Sequence, residues 1–164
     1  MDETAFQRAR VTMTPHPCAF EKALLTGACG CSLAARRNIA ERESVACGAA
    51  EARAQCAALV GLLRQNSVFA LKLVHGEAPL PHAKEMKLQC GGLHGVERAL
   101  TQSAAPVALE QGGRARTQRP AGVADVCGLI EAACEKFGSL QNLPYSALVQ
   151  SVAAWQLRRR RPES

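Results

Sequence analysis

With 164 residues, 48% of them hydrophobic, the chain is long enough for one domain with a real core and too apolar for a disordered polymer. Its 20 Lys and Arg against 14 Asp and Glu give a net charge of +6, which permits an acidic partner without establishing one. Aromatics make up only 4%, and no apolar run approaches the ~20 residues that a bilayer-crossing helix needs.

The first residues, "MDETAFQRARVTMTPHPC", lack the apolar stretch of a secretion signal. Residues 1–13 are expected to be disordered, with Met13 an alternative start to Met1. The expected setting is the cytoplasm, where structural disulfides are disfavoured. Eight cysteines therefore call for metal ligation, thiol chemistry or plain burial.

A cysteine-rich helical bundle is expected over 14–100. Pro17 suits the first turn of a helix "CAFEKALLTG", and Gly27 suits its C-cap. Cys18 would then sit at a helix N-terminus, where the dipole favours a thiolate. "ACGC" reads as a tight turn, and Ser32 as the cap of a second helix, "LAARRNIAERESVAC", ended by Gly48. The third and central helix is "AAEARAQCAALVGLLRQNSVFALKLV". In it Cys56, Leu59, Val60, Leu63, Ala70, Leu71 and Val74 recur at helical spacing, with Leu62, Phe69 and Leu73 widening the stripe. After the loop "HGEAPLPH", a fourth helix runs from near Pro81 through "AKEMKLQCGGLHGVERAL", weakened at Gly91 and Gly92. Residues 101–121 are rich in Gly, Pro, Gln and Arg and read as a flexible linker. A helical hairpin is expected over 122–158, and residues 159–164 end the chain as a basic tail. The fold class is all-α, a small bundle of about five to six helices.

The cysteines divide into groups. Cys127 and Cys134 fall on one apolar helical face and are expected to pack as small hydrophobes. The N-terminal set has the spacing C-x10-C-x-C-x15-C-x8-C. That is neither the paired C-x2-C knuckles of a zinc ribbon nor the C-x2-C-x2-C run of a bacterial ferredoxin. If the first helices pack antiparallel, Cys18, Cys47 and Cys56 converge. A straight helix from Ser32 to Ala46 would span about 22 Å at ~1.5 Å per residue and would part Cys31 from Cys47. The fourth ligand is then Cys90, or Cys31 if that helix breaks near Asn38; Cys29 is a further candidate. The candidate metal ligands are thus Cys18, Cys31, Cys47, Cys56 and Cys90. Four thiolates from different segments suit an iron–sulfur cluster of the [4Fe–4S] type, with structural zinc or copper as the alternative. A second row, His82, Met86, Cys90 and His94 at four-residue steps, is a possible Cu(I) ladder, though the glycine pair disturbs it. His16 and His75 sit in loop-like contexts and read as solvated.

No G-x-S-x-G, Walker A loop or G-x-G-x-x-G occurs, and no catalytic constellation is identified. The expected function is a small cytoplasmic iron–sulfur protein with a redox, electron-transfer or metalloenzyme-accessory role. The rival expectation is a metal-free or zinc-stabilised helical interaction module. The expected partner is a protein with an acidic surface. Nucleic acid is disfavoured, because Arg158–Arg161 have no interleaved aromatics for base stacking. Four adjacent guanidinium groups repel one another and resist burial, so the tail should be solvated. Deleting Arg158 to Ser164 should leave the melting temperature nearly unchanged and weaken partner binding most at low salt, measured by thermal denaturation and salt-dependent titration. A truncated protein that fails to fold refutes this.

Overall fold

The computed structural model describes residues 2–14, 16–73, 80–102 and 123–156. The chain is mostly helical, with one two-stranded sheet. Most of the expected linker, the loop after Leu73 with His75, and the arginine tail lie outside the described residues.

Residues expected to be disordered form helix α1 (Glu3–Met13). Asp2 caps it by accepting from Ala5 N–H at 2.7 Å, which satisfies an orphan donor of the first turn. Phe6 buries its ring beneath the Arg42 guanidinium, 4.6 Å from the centroid, and Glu3 pairs with Arg42 at 2.7 Å. Arg10 forms an ion pair with Glu21. The helix is ordered by what it lies on, and that surface is invisible in a local reading of the sequence.

The expected first helix shrinks to α2 (Glu21–Leu25), with Gly27 just past its end at φ 76 as a C-terminal glycine should be. Cys18 lies before this helix, next to Pro17, which bridges to Ala46. Its N–H donates to the Val45 carbonyl at 2.8 Å, and Cys47 N–H donates to the His16 carbonyl at 2.8 Å.

The largest departure is at 34–47. Where a helix is expected, the chain forms an antiparallel hairpin, β1 (Ala34–Ile39) and β2 (Arg42–Cys47), closed at Ala40–Glu41 with Ala40 at φ 55. Ala, Arg and Glu favour helix intrinsically. Tertiary pairing overrides that preference here. β2 is bonded by β1 on one edge and by the 16–18 segment on the other, and it buries Ser44, Val45 and Ala46. Ile39 is buried with them. The fold is therefore mostly α rather than all-α.

Helix α3 (Ala50–Asn66) is the expected central helix, and it buries Cys56, Leu59 and Leu63. It stops at Asn66 instead of continuing to Val74. Lys72 turns to φ 52, and Phe69, expected in the apolar stripe, is 95% exposed. The fourth helix is continuous from α4 (His82–Met86) through a π-turn (Lys87–Gly91) into α5 (Gly92–Gln102). Across the 101–121 segment, α6 (Val126–Phe137) and α7 (Tyr145–Ala154) follow. Instead of packing mainly on each other as a hairpin, α6 and α7 both pack against α5 and α3.

Glycines set the spacing of this half. A Cβ at Gly91 would lie 2.7 Å from Val152 Cα and 2.9 Å from the Ser151 carbonyl oxygen, so the π-turn and α7 touch backbone to backbone. Gly61, on α3, has nothing within 4 Å. Gly91→Ala should therefore destabilise by about 1–3 kcal/mol through overpacking. Gly61→Ala should stabilise by about 0.5–1 kcal/mol through helix propensity. Urea denaturation of both variants checks the pair, and equal effects would contradict this packing.

Candidate metal centre

The hairpin is what assembles the site. Ala34 stands opposite Cys47, so the chain leaves Cys31, runs out along β1, and returns to within a few residues of where it started. The 22 Å that a helix would impose disappears. Gly48 N–H donates to the Leu33 carbonyl at 2.8 Å and closes the base of the hairpin. Cys18 and Cys47 are held from the other edge by the His16 and Val45 bonds already described. Cys56 enters from α3, two turns past its start, and Arg53 Nε ties that turn to the Pro17 carbonyl at 2.9 Å.

A fifth thiol completes the cluster. The loop Cys29–Cys31 is bonded to the segment that leads into α6. Gly30 N–H donates to the Val123 carbonyl and Val126 N–H to the Gly30 carbonyl, both at 2.9 Å. Ser32 N–H and its hydroxyl donate to Asp125 Oδ1 at 3.0 and 3.2 Å. A Cβ at Gly30 would lie 2.9 Å from the Ala124 carbonyl oxygen, so only glycine allows this approach. The stitch carries Cys127, in the first turn of α6, to the same place.

One recess is thus lined by Cys18, Cys31, Cys47, Cys56 and Cys127, among alanines, Leu33 and Val126. Among the described residues, its only charged lining residue is Arg53. It is narrow, with room for roughly one water molecule. As the side chains stand, no three His, Cys, Asp or Glu residues form a group that could hold a metal ion among the described residues. That limit covers the recess and the His82, Cys90 and His94 row alike.

Electrostatics in the recess favour protons on its buried sulfurs. Burial pushes the Cys56 thiol up to about 12, and charge on Cys18, Cys31, Cys47 or Cys127 would oppose its ionisation further. Burial likewise raises Cys18 to about 11 against a stabilising bond from the Phe20 backbone, and Cys31, Cys47 and Glu21 add to the rise. The expected helix dipole is absent at Cys18, because α2 begins only at Glu21 and has a single turn and a half. Cys127 is raised by burial and then by Glu131, whose carboxylate accepts from its Sγ at 3.8 Å. The Cys47 thiol donates to the Ala49 carbonyl at 3.2 Å.

Four of the five expected ligands, Cys18, Cys31, Cys47 and Cys56, line the recess. Cys90 does not. It is buried in the π-turn, 5% exposed, beside Cys29, whose thiol is raised to about 12 by burial and next by Cys90. Cys127, expected in the core beside Cys134, lies at the recess instead. The apolar periodicity of α6 is carried by Val126, Ile130 and Ala133, which turns Cys127 to one side. The signal that could have found it is its place in the first turn of a helix, next to Asp125. The proposed copper ladder fails for a similar reason. Met86 and Cys90 are buried in the core while His82 is exposed, and the π-turn breaks the four-residue step.

These thiols predict a pH dependence for the metal-free, reduced protein. Cys29, Cys56 and Cys90 titrate near 8.5 when unfolded and at about 12, 12 and 11 when folded. The folded state then holds protons that the unfolded state has lost. Their contribution is fully present below about pH 8 and is lost as pH rises through the folded values. Stability should be level from about pH 7 to 8 and fall from about pH 9 upward, each thiol adding about 1.4 kcal/mol per pH unit in that window. Denaturant titrations from pH 7 to 11 measure it, and stability that stays level to pH 11 would refute it.

Comparisons with protein-family models, with curated proteins and with solved structures returned no match for this chain.

Proposed function

We propose that this is a small iron–sulfur protein that holds a [4Fe–4S] cluster through Cys18, Cys31, Cys47 and Cys56. The observation that carries the reading is that these thiols, drawn from four separate segments, line one recess. A cubane cluster requires four thiolates, and a scaffold that brings them from an extended edge, a loop, a strand end and a helix can surround it. Sulfur ligation deprotonates a thiol outright, so the raised values of Cys18 and Cys56 describe the protein without metal. Loading asks the thiols to leave their present rotamers, and one staggered step moves a cysteine sulfur by about 3 Å. The role is redox: electron transfer, or service to a larger metalloenzyme. Arg53 beside the sulfurs would offset part of the negative charge of a four-thiolate cluster.

The narrowness of the recess favours a second reading, a single zinc ion held by four thiolates about 3.8 Å apart, as Zn–S bonds of ~2.3 Å require. The third is a metal-free interaction module. No described helix is long and apolar enough to cross a membrane.

Anaerobic purification separates the readings. The cluster predicts brown protein with iron and acid-labile sulfide. Colourless protein with stoichiometric zinc supports the second reading, and protein that takes up neither metal on reconstitution supports the third. Cys56→Ser should abolish the chromophore, while Cys134→Ser should keep it. The reverse pattern, at unchanged folding, would place the cluster elsewhere.

A further inference from the structure

Apart from the thiol recess, the helical C-terminal half holds a cavity of about 420 Å³ between α5, α6 and α7, within the size range of small-molecule sites. We propose that this cavity binds a small organic carboxylate with an apolar body. Arg98 holds the carboxylate, and Phe137, Pro144 and Ala147 receive the body. The proposal is independent of the metal reading.

The cavity follows from how these helices meet. Gly95 brings α5 against α7, where a Cβ would lie 3.0 Å from Leu148 Cδ2 and 3.1 Å from Leu148 Cα. Beside that contact the lining residues Ala99 on α5 and Ala147 on α7 are small and leave space unfilled. Phe137, the last residue of α6, and Pro144, the N-cap of α7, complete the apolar wall. Gln150 and Ser151 of α7 add polar groups to it.

Charge decides the sign of the ligand. Among the described residues, Arg98 is the only charged residue of the lining, so no carboxylate stands there to oppose an anion. Arg98 is exposed, and among the described residues its guanidinium has no salt bridge of its own. Lys136 is already committed. Its Nζ donates to the Ala99 and Leu100 carbonyls at 2.9 and 3.1 Å. There it satisfies orphan carbonyls in the last turn of α5, whose partial negative charge would otherwise repel an anion. A guanidinium offers two parallel donors to a carboxylate. An exposed pair of this kind gains little in water, and apolar surface that displaces water strengthens it. The ligand therefore needs both parts, an anionic head and an apolar body. One cation suits a monoanion, whereas a polyphosphate would call for several.

The probe is phenylbutyrate, with its uncharged amide as the control. Titrated into the full-length protein, phenylbutyrate should saturate with a dissociation constant at or below ~1 mM. Amide NMR shifts should centre on Gly95, Ala99, Phe137 and Ala147. The uncharged control should bind about tenfold more weakly or worse, as loss of a charged hydrogen bond implies. Arg98→Gln should weaken phenylbutyrate by the same factor and leave the affinity for the control unchanged, a split that general loss of structure does not produce. Ala147→Trp, which fills the cavity from an exposed position, should abolish both. Equal affinity for acid and amide, an Arg98→Gln variant that binds the acid like the wild type, or shifts centred elsewhere would each overturn the proposal. So would a dimer in sedimentation that phenylbutyrate leaves intact and Ala147→Trp breaks, because a second copy would then occupy the cavity.

Discussion

Ala34 stands opposite Cys47 in the antiparallel β1–β2 pair, and the rest of the N-terminal half follows from that register. It turns a fifteen-residue separation between Cys31 and Cys47 into proximity. It presents the second edge of β2 to the 16–18 segment, which positions Cys18. It also offers a surface on which α1 lies through Phe6, Glu3 and Arg10. A slip of one residue would turn Val45 from the core to solvent and would part the sulfurs. The hydrophobic burial of Val45 and Ile39, 0% and 2% exposed, opposes such a slip.

The second constraint is the contact between the Cys29–Ser32 loop and the 123–126 segment. It joins residues more than ninety positions apart by backbone hydrogen bonds and by the Ser32–Asp125 pair. Through it, the sulfur-rich N-terminal half and the helical C-terminal half share one recess. Metal at that point would tie α6 to the hairpin, coupling occupancy to the stability of the whole chain. The core beneath is built by α3, α5 and α7 closing over Gly91, Gly92 and Gly95. Leu63 and Leu148 fill the space that larger residues would claim.

The buried thiols serve two roles with one chemistry. Protonated, they behave as small apolar groups and complete a core that has few aromatics. A thiolate, by contrast, is a soft metal ligand in general, which is the role proposed for the recess. Cys29 and Cys90, both deeply buried, belong to the first role, whereas the five at the recess lie side by side at its wall.

The strong helical periodicities were legible from the sequence. Cys56, Leu59 and Leu63 on α3 follow the 3.6-residue period and are buried as that period implies, and the run from His82 to Gln102 is helical as expected, although the π-turn at Lys87–Gly91 interrupts its period. The cysteine surplus was also readable from the sequence, whereas Cys18, Cys47 and Cys56 were expected to converge through two antiparallel helices and instead line one recess through the β1–β2 hairpin. The hairpin was not, because Ala, Arg and Glu carry a helical preference and the bonds that overrule it come from residues 16–18 and from burial of Val45. Nor was the place of Cys127, since it depends on a loop meeting a segment far along the chain, with Gly30 permitting the approach. The sequence by itself determined how many soft ligands the protein has and which helices carry its core, since composition and local period are properties of the chain alone. Tertiary structure decided which sulfurs meet, because strand pairing and long-range backbone contacts obey partners that no local window contains.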